Sequence, residues 1–354
     1  QAPRGVEHTL TSPTHRSLMF PTPPSTPRYG KTLILQPLPG IGDMVWHLPH
    51  IDAIAAATRT GTVTLMTKAR ALGDQLFAGD ARIDAILPLF RGLEGKRHDG
   101  ALGSRRLGQD LADQGFEVVW IFHGSARYAM AAAFAGIPER IGFGIGWQNM
   151  FLTTQHPLVR RDERLHPSEK ATKLLEQNGL TVDPFPHYTP PEAARAAIER
   201  DFGGMPRPWF GLGIGSSETF KQWGAERFAA LSDALTAKSG GTIFLLAGPG
   251  ERDMAEQIAE GRDEIKPVVA RALSEAAALA QTCNVMISND TGLMNLAAAT
   301  GATTVGLFGG SPAIDHFYPT LSAVTPPGGA VYKDNRMSEI TVEMVLDAIN
   351  SRVS

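Results

Sequence analysis

From residue 31 onward, short runs of branched and aliphatic residues alternate with longer stretches whose apolar positions recur every three or four residues. KTLILQPL (31–38), TVTLMTK (62–68), IDAILPL (83–89) and EVVWIFH (117–123) have the length and composition of buried strands. Between them, WHLPHIDAIAAAT, the stretch near ALGDQLFAG, and LGQDLADQG carry helical spacing. The beat stops in TVDPFPHYTPPEAARAAIERDFGGMPRP (181–208), a proline-dense linker holding one short helical stretch, and then resumes. WFGLGIGS, TIFLLAG, PVVA, NVMIS and TTVGLFG read as strands, with helices predicted through AERFAALSDALTAKSG, ERDMAEQIAEG and SEAAALAQT. A last helix near TVEMVLDAINSRV is free to pack on either half. Strand and helix in strict alternation predict an α/β chain of two doubly wound parallel sheets in tandem, with ligands at the carboxyl ends of the strands.

Four loops at such ends hold the candidate chemistry. NDTGLMNLAAATGA (289–302) places Asp290-Thr291-Gly292 where a strand hands over to a helix closed by Gly301. Either Asp290 or Thr291 caps that helix, or the turn presents unpaired N–H groups and the positive end of a macrodipole to an anion. In PLPGIGDMVWHLP (37–49), Asp43 is an N-cap or a carboxylate facing the cleft as a base. GIGSSETFKQWG (213–224) brings Ser216, Ser217 and Lys221 together, a diphosphate cradle if Lys221 is not simply solvated. Glu251, after the Gly-Pro-Gly turn of LLAGPGERD, caps a helix or accepts from the two hydroxyls of a ribose.

Other chemistries are disfavoured. The second strand ends in Lys68 instead of an acidic residue, against a nicotinamide cofactor, and residues 213–224 lack the spacing of a nucleotide-hydrolysing P-loop. His47 and His50 are three apart, two ligands at most, so no metal is expected. A formal net charge of −3 over 354 residues gives no sign of nucleic-acid binding. The single cysteine, Cys283, falls in an apolar run where burial is expected. No run approaches the ~18 apolar residues of a membrane span, and a cytoplasmic location is expected. Residues 1–29, rich in Pro, Ser and Thr, read as a disordered or loosely docked extension. The organisation predicted is this extension, a first half over 30–185, a linker over 186–204, a second half over 205–330, and a terminal helix over 331–354.

In order and spacing, the loops resemble glycosyltransferase family 9, the bacterial heptosyltransferases of the lipopolysaccharide inner core. The resemblance rests on Gly42-Asp43 in GIGDMVWHLP, AGIPERIGF (135–143), Lys221 and Trp223 in KQWG, and NDTGLMNLAAATGATTVGLFG (289–309). It implies a GT-B arrangement of two Rossmann-like domains, the sugar-nucleotide donor mainly on the second and the acceptor mainly on the first. It further implies Asp43 as catalytic base, Lys221 as a phosphate contact, Glu251 as the ribose contact, and Asp290, Thr291 and Gly292 as the diphosphate turn. Asn295 stands where the family usually shows His; its amide can still donate to a phosphate oxygen, although it cannot become a cation. Arg127 stands where the family often has Lys. Lys68, Arg70 and Arg127 are the implied acceptor contacts, with Arg91, Lys96, Arg97, Arg105 and Arg106 either a patch for a phosphorylated lipid or a solvated loop.

The expected activity is inverting, metal-independent transfer of a sugar, heptose from ADP-heptose first, onto a lipopolysaccharide-core or other surface-glycan acceptor. Peripheral contact with the inner face of the cytoplasmic membrane would accompany a glycolipid acceptor. The alternatives are a non-catalytic sugar-nucleotide or glycan binder on a transferase scaffold, motivated by Asn295 together with the N-terminal extension, and a sugar-nucleotide epimerase of the same architecture.

Overall fold

The computed structural model describes residues 27–154 and 156–353, so most of the expected N-terminal extension lies outside the described residues. Its end does not behave as an extension. Tyr29 is buried, bridges in parallel to Thr58, and meets the Trp120 ring edge-on at 5.8 Å, while Arg28 donates to the Asn178 carbonyl at 2.8 Å. Arg28 and Tyr29, assigned to the extension by the sequence reading, are therefore docked on the first half.

The first sheet contains β1 (Thr32–Gln36), β2 (Val63–Thr67), β3 (Ile83–Pro88), β4 (Val118–Ile121) and β5 (Glu139–Gly142), in the order β3-β2-β1-β4-β5. The second contains β6 (Trp209–Gly213), β7 (Thr242–Ala247), β8 (Ile265–Val269), β9 (Val285–Asn289), β10 (Thr304–Leu307) and β11 (Leu321–Val324), ordered β11-β10-β9-β6-β7-β8. Every pairing between these strands is parallel. Strands β1, β2, β4, β6 and β9 are buried along their whole length, as strands of a parallel sheet covered on both faces are. The strand order reverses between β1 and β4 in one sheet and between β6 and β9 in the other. Crevices open at such reversals, so the loops after β1, β6 and β9 are the ones placed to hold a ligand.

The terminal helix Val342–Val353 packs on the second sheet, burying Val345 and Ile349. The linker helix is Glu192–Phe202. Cys283 is buried as expected, and burial pushes its thiol up to about 12. One apolar cluster runs through both halves: Met44, Leu48, Trp120 and Phe122 from the first are continuous with Met294, Leu296, Phe308 and Leu321 from the second. No helix among the described residues is long and apolar enough to cross a membrane.

Candidate functional site

The chain leaves β1 through Pro37 and Pro39, which have no N–H to extend a ladder, and turns at Gly40 into the short helix Ile41–Val45. Asp43 occupies its third position. One carboxylate oxygen, Oδ2, reaches back to accept from the Gly40 N–H at 2.9 Å, and the side chain still lines a cavity of about 680 Å³ between the halves. Asp43 is thus both a helix-start device and a cleft carboxylate. Burial raises its pKa, against the opposing pull of the Gly40 N–H, Lys221 and Lys68.

The helix Gly292–Ala299, which begins after β9, lies directly against Ile41–Val45, and the approach of the two helices depends on paired glycines. A Cβ on Gly292 would lie 2.5 Å from Ile41 Cβ and 3.0 Å from the Gly42 nitrogen; one on Gly42 would lie 3.0 Å from Asn295 Nδ2. Neither Asp290 nor Thr291 caps this helix through its side chain. The Asp290 carboxylate instead takes Lys221 Nζ at 2.8 Å and the Ser311 hydroxyl at 2.5 Å. Lys221 also pairs with Glu218 at 3.1 Å; burial pushes its ammonium pKa down, and the two carboxylates outweigh that and leave it raised. An ammonium has three N–H groups, so two ion pairs leave one for a ligand oxygen.

The remaining donor candidates divide. Ser217 is exposed and lines the cavity, whereas the Ser216 hydroxyl bonds the Glu218 backbone on both sides, donating to its carbonyl at 3.0 Å and accepting from its N–H at 3.2 Å. Ser216 shapes the loop and has little left to offer a phosphate. Glu251 precedes the helix Arg252–Ala259 without capping it through its side chain; its carboxylate faces Gly215, where an added Cβ would come within 3.0 Å.

Asn295 borders the cavity and is 2 % exposed, with its oxygen and one of its two Nδ2 hydrogens engaged inside the protein. Its Oδ1 accepts from Trp46 Nε1 at 2.8 Å and from the Tyr318 hydroxyl at 2.9 Å, while Nδ2 donates to the Thr291 carbonyl at 2.9 Å. An indole N–H can only donate, so the orientation of the amide is determined, with the oxygen turned to Trp46. Asn295 thus joins the two halves through its oxygen.

The acceptor candidates also divide. Arg70 lines the cavity. Lys68 stands near enough to lower the pKa values of both Asp43 and His123, without lining the cavity. Arg127 lies outside it: its guanidinium donates to the His98 carbonyl at 3.2 Å from the start of the helix Ala126–Phe134. Of the two readings for the basic stretch 91–106, a patch for a phosphorylated lipid or a solvated loop, neither is decided by its pairing: Arg91 pairs with Asp99 at 3.0 Å and with the Tyr128 hydroxyl at 2.9 Å, and Arg97 with Asp110, while Lys96, Arg105 and Arg106 are exposed. His47 and His50 are fully buried among aromatic rings, with the His47 pKa lowered by burial to about 4, and they make no metal site. No cluster of three or more His, Cys, Asp or Glu residues suited to a metal occurs among the described residues.

Sequence reading missed Trp46, Ser311, Tyr318 and His166. Trp46 stood inside a quoted motif; the other three carry no local pattern that marks them.

The family model for glycosyltransferase family 9 (heptosyltransferase) matches residues 104–322. Lipopolysaccharide heptosyltransferase 2 of Salmonella typhimurium is 25 % identical over 234 residues, 62 % of this chain and 66 % of that protein. The structure of E. coli ADP-heptose lipopolysaccharide heptosyltransferase II superposes with a TM-score of 0.71 at 19 % identity, covering 91 % of this chain and 98 % of the other. A family 9 glycosyltransferase from Veillonella parvula gives 0.71 at 22 % identity, covering 91 % and 97 %. These likenesses show the same two-sheet GT-B fold.

Proposed function

Because this chain belongs to glycosyltransferase family 9, we propose that it transfers a sugar, with inversion, from a nucleoside diphosphate donor to a lipopolysaccharide-core or related surface-glycan acceptor. The observation that carries the reading is the convergence of Asp43, Lys221, Asp290 and Gly292, contributed by both halves, on one cavity. In this reading the acceptor hydroxyl gives its proton to Asp43 as its oxygen attacks the anomeric carbon. The bond to the diphosphate breaks on the opposite face of that carbon, and the leaving group takes the electron pair. Its developing charge meets Lys221 and the N–H groups that open the helix Gly292–Ala299, a preorganised electrostatic site. Glu251 accepts from the ribose hydroxyls, and Lys68 and Arg70 face the acceptor.

ADP-heptose is the preferred donor because the E. coli structural relative is described as acting with it and the Salmonella relative is a heptosyltransferase. The test is calorimetric titration with ADP, UDP and GDP, followed by transfer assays with the sugar conjugate of whichever binds. ADP is expected to bind tightest; a preference for UDP or GDP changes the sugar, and no binding by any of them overturns the reading. Within this scheme, Lys221→Ala is expected to weaken ADP by roughly 10- to 100-fold, the scale of a lost hydrogen bond to a charged group, and adenosine hardly at all. Equal weakening of both would remove Lys221 from the phosphate site.

A further inference from the structure

His166 lines the same cavity as Asp43 and belongs to no role assigned above. It precedes the helix Pro167–Gln177, and its Nδ1 accepts from the Ser168 N–H at 3.3 Å. That bond determines the tautomer of the neutral ring: with Nδ1 accepting, the proton sits on Nε2. The ring is held in place by aromatic contacts from both halves, 4.3 Å from the Trp46 ring centroid at an interplanar angle of 79° and 4.8 Å from that of Phe317. Its Nε2 has no hydrogen-bond partner among the described residues and is not a sealed atom, so the N–H is open to solvent. Burial first, then His316 and Lys170, lower the ring's pKa to about 4 against the pull of Glu169, so the imidazole is neutral near pH 7.

The position narrows the ligand. Trp46, the ring against which His166 packs, donates to Asn295, one helical turn beyond Gly292. His166 therefore stands one aromatic ring farther along the wall from the turn proposed to hold the diphosphate, and a sugar is the next group along a nucleotide donor. A neutral donor set against aromatic rings suits an uncharged hydroxyl, where a phosphate would call for a cation.

We infer that His166 is a sugar-recognition residue whose Nε2–H donates to a hydroxyl of the donor's sugar. This rests on the sugar-nucleotide reading above. The test compares ADP with ADP-heptose by calorimetry in the wild type, His166→Asn and His166→Gln. Asn keeps a short side-chain oxygen able to cap the helix but lacks the reach of Nε2; Gln restores a terminal N–H donor at greater reach. His166→Asn is expected to bind ADP within about twofold of the wild type and ADP-heptose roughly 10-fold more weakly, the scale of one lost hydrogen bond, with recovery in His166→Gln. Parallel loss of both ligands, or unchanged ADP-heptose binding, overturns the role of His166 and leaves the wider reading intact. A wild type that binds neither ligand overturns both.

Discussion

Asp43→Asn is expected to lower kcat by roughly 10²- to 10⁴-fold, the range associated with loss of a positioned general base. The substitution is chosen because Asn retains an oxygen to accept from the Gly40 N–H, the contact that holds the start of the helix Ile41–Val45. It removes the charge and the basicity and leaves the turn intact. ADP should bind within about twofold of the wild type, because the diphosphate site proposed at Lys221 and the Gly292 turn makes no use of the Asp43 side chain. The folded protein should melt no lower at neutral pH. Burial raises the Asp43 pKa above its unfolded value, so folding disfavours the ionised form, and that cost is present once the pH exceeds the folded pKa. The same shift has a kinetic sign. A base works only when deprotonated, so kcat/KM should fall as the pH drops through the raised pKa, and this acid limb should vanish from the residual activity of Asp43→Asn. Undiminished turnover, or an acid limb that persists in the variant, would exclude Asp43 as the base.

Gly292→Ala is expected to damage turnover almost as severely through geometry alone. Its new Cβ would arrive 2.5 Å from Ile41 Cβ and 3.0 Å from the Gly42 nitrogen, and the latter is backbone. Something must move, and the element that moves carries Asp43. Overpacking of this kind costs about 1–3 kcal/mol in stability, and a displacement near 1 Å at a reacting group costs on the order of 10²-fold in rate. Gly204→Ala is the matched control, because an added Cβ there meets nothing within 4 Å. A Gly292→Ala enzyme with wild-type kcat would show that the glycine contact does not hold Asp43 in register with the proposed diphosphate site.

Much of this architecture was legible because strands of a parallel sheet covered on both faces are rich in apolar residues, and nine strands were read from such runs, the more exposed edge strands β3 and β8 among them. The two missed, β5 (Glu139–Gly142) and β11 (Leu321–Val324), are four-residue edge strands, too short and too polar to stand out. The helices Ala126–Phe134 and Pro167–Gln177 were overlooked as well, the first because it follows directly on a buried strand and its Gly-Ser loop. Asp43, Lys221, Glu251 and the turn at Asp290 were readable from their place after strands, and the structure brings them to one cavity. What could not be read was pairing over long separations. Trp46 and Asn295 are 249 positions apart, and nothing local announces that the amide is already engaged. In the stretch from Arg91 to Arg106 the cations are visible in sequence, and the geometry that pairs Arg97 with Asp110 is not.

The apolar cluster shared by the two halves makes them one cooperative unit. Met294, Leu296, Phe308 and Leu321 are sealed partly by side chains of the other half, so drawing the sheets apart would expose hydrocarbon to water at about 25 cal/mol per Å². Heat or denaturant should therefore dissolve both sheets in a single transition, and neither half, produced separately, would keep its core dry.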